Sequence, residues 1–162
     1  MIPAAAVHRR RGMMERMTDT LLPASLAEIR DDFLALPEAE RLQLLLEFSN
    51  ELPPVPAEYA DRPELYERVT ECQSPVFIAL EVGADRRVTM HATAPAEAPT
   101  TRGFASILAQ GLTGLSVDEV LAVPGDYPQS LGLTRAVSPL RLAGMTGMLV
   151  RAKRQVHQKS VA

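Results

Sequence analysis

Leu26, Ile29, Phe33 and Leu36 recur at three- and four-residue spacing, which predicts an amphipathic helix. Ser25 followed by Glu28 has the form of a capping box at its start, and Pro37 ends it. A second helix is predicted from residue 38 to about 52, with Glu38 and Glu40 at its positive end and Leu42, Leu45, Leu46 and Phe48 on its buried side. The prolines at 53, 54 and 56 then force an extended connector, and residues 63–68 read as loop or short turn. The period changes to that of strands over residues 76–82 and 87–92, and Gly83, Ala84, Asp85 and Arg86 between them predict an antiparallel hairpin. Helical spacing returns with Phe104, Ile107, Leu108 and Leu112, for a helix that begins between residues 97 and 101 and ends near Gly111 or Gly114. Ser116 and Glu119 form a second capping box, opening a short helix to about Val123. Residues 124–133 read as an irregular link. Ser138-Pro139 is a strong helix start, and the last helix is predicted to run to about Val156. Its end carries Arg151, Lys153 and Arg154, which suits the helix dipole.

Helices, then a hairpin, then helices predict an α+β domain, placed over residues 21–158. Residues 1–20 carry His8-Arg9-Arg10-Arg11 without apolar periodicity and read as a flexible tail. No apolar stretch follows those arginines, so the segment lacks the form of a secretory signal. No apolar run is long enough to span a bilayer.

Composition narrows the class. With 46% hydrophobic residues, 4% aromatic and no Trp, the core is built from Leu, Val, Ala and Met. A formal net charge of −3 argues against a nucleic-acid partner. A single cysteine excludes an internal disulfide framework and a thiolate zinc cluster within one chain, and makes the reducing cytoplasm the default compartment. His8, His91 and His157 show no metal-ligand spacing, so no metal is expected.

The candidate chemistry lies at Cys72, on a loop just before the strand run. A lone cysteine is commonly a buried small hydrophobe, but Thr70, Glu71, Gln73 and Ser74 are all polar, so exposure of the thiol is expected. His91, on the second hairpin strand, reads as a strand-surface histidine with a proton-donor role as the alternative.

The segment Val69-Thr70-Glu71-Cys72-Gln73-Ser74-Pro75-Val76-Phe77 resembles the V-x-G-C-Q-S-x-V-W pattern of the SufE family of sulfur-acceptor proteins. Arg102-Gly103-Phe104 resembles that family's K-G-L at a helix start. Leu133-Thr134 together with residues 138–145 resembles its L-T…[ST]-P-x-R-x-x-G-[LM] segment. Three segments in order cover roughly residues 24–157. The resemblance implies a small antiparallel sheet packed against several helices, with the cysteine loop at one end of the sheet. It also implies that Cys72 takes persulfide sulfur from a SufS-like cysteine desulfurase, stimulates it, and passes sulfur on to iron–sulfur scaffold proteins. Pyridoxal phosphate would belong to the partner and this chain would hold no cofactor. A monomer or weak homodimer is expected, without nucleic acid or membrane.

Thiolate attack needs an accessible, deprotonated cysteine, and an unperturbed thiol has a pKa of about 8.5. Arg141, about one turn inside the last helix, is the candidate cation, with a surface arginine as the plain reading. Gln73 and Ser74 either hydrogen-bond the sulfur anion or shape the turn. Two positions depart from the family pattern: Glu71 stands in place of Gly, and Ala96-Glu97 in place of the frequent Ser-Asp. Glu71 adopts positive φ less readily than Gly and puts a negative charge beside the thiol. Two other classes stay open: a redox-reactive thiol protein that forms a sulfenic acid, and a desulfurase-binding module acting without sulfur transfer.

Overall fold

The structure is a computed structural model and describes residues 22–161. The tail expected over residues 1–20 lies outside the described residues. Helices α1 (Ala24–Ala35) and α2 (Glu38–Asn50) are followed by the proline connector, a one-turn helix α3 (Ala57–Ala60) and a 3-10 turn (Pro63–Leu65). Strands β1 (Glu67–Arg68), β2 (Phe77–Val82) and β3 (Val88–Thr93) come next. Helices α4 (Pro99–Leu112) and α5 (Val117–Leu121), a 3-10 turn (Tyr127–Leu131) and the long α6 (Pro139–Ser160) complete the chain. The fold is α+β.

The three strands form an antiparallel sheet in the order β1-β2-β3. Ile78 pairs with Ala92, Leu80 with Met90 and Val82 with Val88, so these six share one face, and all but Val82 are buried. Helices α4 and α6 pack on the sheet, and α1 and α2 pack outside α4. Only Gly fits at Gly103, where a Cβ would come 2.5 Å from the Leu45 carbonyl oxygen of α2. Arg102 ties the same layers together, donating from Nε to the Ser49 carbonyl at 3.0 Å and from Nη1 to the Ala94 carbonyl at 2.6 Å. On the opposite sheet face Tyr59 of α3 packs at a tilt of 34° against the buried His91 ring, with centroids 4.2 Å apart, so the connector covers that face.

Several expectations are corrected. Ser25 does not cap α1: the helix begins at Ala24 after Pro23, and the Ser25 hydroxyl donates instead to the Gly111 carbonyl of α4 at 2.7 Å. A long-range partner outcompetes the local cap. Leu42 is exposed and Leu46 half-buried, because the buried face of α2 is rotated onto Leu45, Phe48 and Ser49. Glu67 and Arg68 are a strand rather than loop, pairing with Ile78 and Phe77. The link before α6 contains a 3-10 turn anchored by buried Tyr127, whose hydroxyl donates to the Leu26 carbonyl at 2.8 Å. The Ser116–Glu119 capping box is present in both directions, and Ser138 caps α6 by accepting from the Arg141 N–H.

Candidate functional site

The cysteine loop is the connection between β1 and β2. Beyond the Arg68–Phe77 pair the ladder continues as the Val69 N–H donates to the Val76 carbonyl at 2.9 Å, and both valines are fully buried. Residues 70–75 therefore form a loop clamped at its base by apolar packing. The Cys72 N–H turns back to the Val69 carbonyl at 3.1 Å. Among the described non-glycine residues only Arg86 has positive φ, so the loop needs no left-handed conformation at Glu71.

Cys72 is buried, 8% exposed, which overturns the expectation of an accessible thiol. Thr70, Glu71 and Gln73 keep exposed surface while the thiol turns inward onto α6. A Cβ at Gly144 would lie 2.9 Å from Cys72 Sγ, so the missing side chain is the space the sulfur fills. One turn further along, Gly147 leaves room for Glu71, whose Cγ, Cδ and Oε2 would each stand 2.8 Å from an added Cβ. Adjacent loop residues thus seat in two adjacent notches of one helix.

The charge beside the thiol is compensated from the same helix. Arg151 donates from Nε and Nη2 to the two Glu71 carboxylate oxygens at 2.9 and 3.0 Å, and from Nη2 to Thr70 Oγ1 at 2.7 Å. It also pairs with Glu67, which further bonds Arg154 and Gln155. Burial alone would raise the Glu67 carboxyl, but the hydrogen bonds from Arg154, Gln155 and Arg151 outweigh it and hold it down to about 2. The hydrogen bonds from Arg151 likewise lower Glu71. The Cys72 thiol moves the other way: burial, reinforced by the Glu71 charge and only partly offset by Arg151, pushes it up to about 11. In this conformation the sulfur is a protected thiol, not a nucleophile.

A cavity of about 340 Å³ opens beside the sulfur. Glu71, Cys72, Gln73 and Ser74 line it from the loop, and Leu140, Arg141 and Gly144 from α6. The first turn of α4 closes a third side through Pro99, Thr100 and Thr101, next to Glu97. Of the six residues singled out in the sequence, Glu71, Cys72, Gln73, Ser74 and Arg141 line this one cavity. Arg141 is exposed at its rim and has no carboxylate partner among the described residues. The N-terminal ends of α4 and α6 both face the cavity, a placement that favours negative charge there. His91 is not part of it, being held against Tyr59 and Glu81 on the far sheet face. Sequence reasoning missed Glu67, Gly144, Gly147 and the pairing role of Arg151. The available signal was the spacing of 144, 147 and 151, which puts two glycines and an arginine on one helical face.

No group of His, Cys, Asp and Glu among the described residues has the arrangement to hold a metal ion. No helix among them is long and apolar enough to cross a membrane. The family model described as the SufE Fe–S metabolism associated domain matches residues 27–156. The chain belongs to the SufE family. Two uncharacterized SufE-like proteins from strains of Mycobacterium tuberculosis are each 50% identical over 137 residues, covering 85% of this chain and 94% of theirs. The SufE-like protein 1, chloroplastic/mitochondrial, of Arabidopsis thaliana is 29% identical over 138 residues and 36% of its own length is spanned. The solution structure of a hypothetical protein from Thermus thermophilus superposes on this SufE domain with a TM-score of 0.76 at 35% identity, covering 87% of this chain and 99% of that one.

Proposed function

We propose that this SufE-family chain accepts sulfane sulfur from a cysteine desulfurase onto Cys72, thereby stimulating the desulfurase, and passes the sulfur on for iron–sulfur cluster assembly. The observation that carries the reading is the lone thiol at the wall of a cavity shared with two helix N-termini and with Arg141, which has no carboxylate partner among the described residues. In the transfer the Cys72 thiolate attacks the outer sulfur of the partner's cysteine persulfide. A Cys72 S–S bond forms as the partner's S–S bond breaks, and the partner's cysteine leaves as thiolate with no net oxidation. Arg141 and the two helix ends would stabilise the anionic persulfide product. Having no second cysteine, the chain cannot resolve that persulfide into an internal disulfide. Pyridoxal phosphate belongs to the partner, and the reading assigns this chain no cofactor.

Because the resting thiol is buried and its pKa is raised, the loop must leave the Gly144 notch before transfer. That same burial favours a second reading, a binding module that stimulates the desulfurase without taking its sulfur. It weighs against a redox sensor, which needs an accessible thiolate. The two leading readings part on desulfurase turnover with cysteine as substrate. Wild type is expected to accelerate alanine release and Cys72→Ala to abolish the acceleration. Undiminished stimulation by Cys72→Ala would put the binding module ahead.

A further inference from the structure

We infer that Glu71 and Arg151 form a latch that sets how often the Cys72 loop opens, so that both are positioning residues for sulfur acceptance. The inference rests on the sulfur-acceptor reading for its purpose, but not for its measurement.

The loop's hydrogen bonds run to its own base and to Arg151 of α6. Between the Val69–Val76 clamp and the cavity, the loop touches α6 at the two neighbouring notches, Gly144 under Cys72 and Gly147 under Glu71. The first contact is a single small side chain in a close-fitting space, which favours burial but supplies no directional bond. The second is a two-pronged carboxylate–guanidinium pair, reinforced by Thr70 on the same guanidinium. Glu71 is 41% exposed and Arg151 17%, so water and salt reach one side of the pair while the arginine is held in place from below by Glu67. Since residues 71 and 72 are consecutive, Cys72 cannot swing out without carrying the Glu71 backbone, and the pair must break. Charge-assisted, bidentate hydrogen bonds are the strong kind, and this one is the principal polar tie between the loop tip and the helix. Glu71 therefore has a positive role. The carboxylate that disfavours a thiolate while the loop is shut is the group that keeps it shut. The arrangement couples a protected resting thiol to an opening step that another charged surface can drive by exchanging the pair.

The test reads Cys72 access by the rate of alkylation with iodoacetamide, with no desulfurase present. Glu71→Gln is expected to raise the rate about tenfold, the size of effect that loss of a charge-assisted bond gives. Raising sodium chloride from low to molar concentration is expected to speed wild type and leave Glu71→Gln nearly unchanged. Arg151→Gln should also raise the rate, and adding Glu71→Gln to it should change little, because the pair is already broken. The accelerated rate should depend only weakly on urea below the unfolding transition, the signature of local opening as opposed to global unfolding. A Glu71→Gln rate within twofold of wild type overturns the latch, as do effects of the two substitutions that multiply in the double variant or an acceleration with the urea dependence of global unfolding. A working latch with no sulfur transfer from a desulfurase would sink the acceptor reading and leave the latch standing.

Discussion

Cys72 and Glu71 are held by what α6 lacks at two positions, and the glycines there can be tested one at a time. Gly144→Ala gains about 1 kcal/mol of helix propensity but forces a Cβ to within 2.9 Å of the sulfur, and overpacking of that kind costs about 1–3 kcal/mol. The expected outcome is a stability no better than wild type in urea titration, together with faster alkylation of Cys72 as the thiol is displaced. Glu67 gives the pH dependence. Its folded pKa is depressed, so its contribution is complete above the ordinary value of 4.5 and is lost as the pH falls through about 2. Wild type should therefore lose stability across that window more steeply than Glu67→Gln, measured by urea midpoints at successive pH values. For Cys72 the sign reverses. A raised thiol pKa means that the folded state holds its proton longer, so the closed loop is destabilised as the pH rises from the ordinary thiol range towards 11, and alkylation should keep climbing through that range. Glu71, Cys72, Gln73 and Ser74 were legible as one group because they are consecutive, and Arg141 joined them only through the family resemblance. Sequence alone did not reveal that the sulfur points inward, because burial of Cys72 depends on the absence of a side chain at Gly144, far away in sequence.

At the scale of elements, helices α1, α2, α4, α5 and α6 and the β2–β3 hairpin were legible from periodicity and from proline and glycine punctuation, whereas the one-turn α3 was not. Two further exceptions share one cause, which is that a distant partner outranks a local preference. Ser25 follows the capping-box pattern yet bonds Gly111 in α4. Glu67 and Arg68 have no strand pattern of their own and become β1 only because β2 offers an edge and α6 supplies Arg151, Arg154 and Gln155 for the Glu67 carboxylate. Beyond the end of β1 that edge would be open, and α6 closes it. The Gln155 side chain accepts from the Leu80 N–H at 2.9 Å, while Lys159 donates to the Leu80 carbonyl. Gln155→Leu leaves a buried N–H without a partner and frees one oxygen of Glu67, and is expected to cost about 1–3 kcal/mol in urea unfolding. Between helices, Gly103→Ala should be worse than any helix propensity it gains, since the neighbour at 2.5 Å is the Leu45 carbonyl, which cannot move aside as a side chain can. Gly125→Ala, with open space around it, is the control and should leave the urea midpoint within about 0.5 kcal/mol of wild type.

Across the whole molecule, α6 is the element on which the candidate site depends. Its first turn supplies Leu140 and Arg141 to the cavity, its glycines seat the cysteine loop, its arginines hold Glu71 of the loop and Glu67 of β1, and its C-terminal turns close the sheet edge. A movement of the loop is therefore read directly by the helix that also faces any partner reaching Cys72 through the cavity. In this SufE-family α+β domain one thiol sits on a loop seated against that helix. Whether that thiol carries sulfur is decided by intact-mass analysis after incubation with a cysteine desulfurase and cysteine. One added sulfur atom is expected on the wild-type chain, removable by a thiol reductant and absent from Cys72→Ala. A wild-type chain that stays unmodified while the desulfurase turns over, or sulfur that appears equally on Cys72→Ala, would refute sulfur carriage by Cys72.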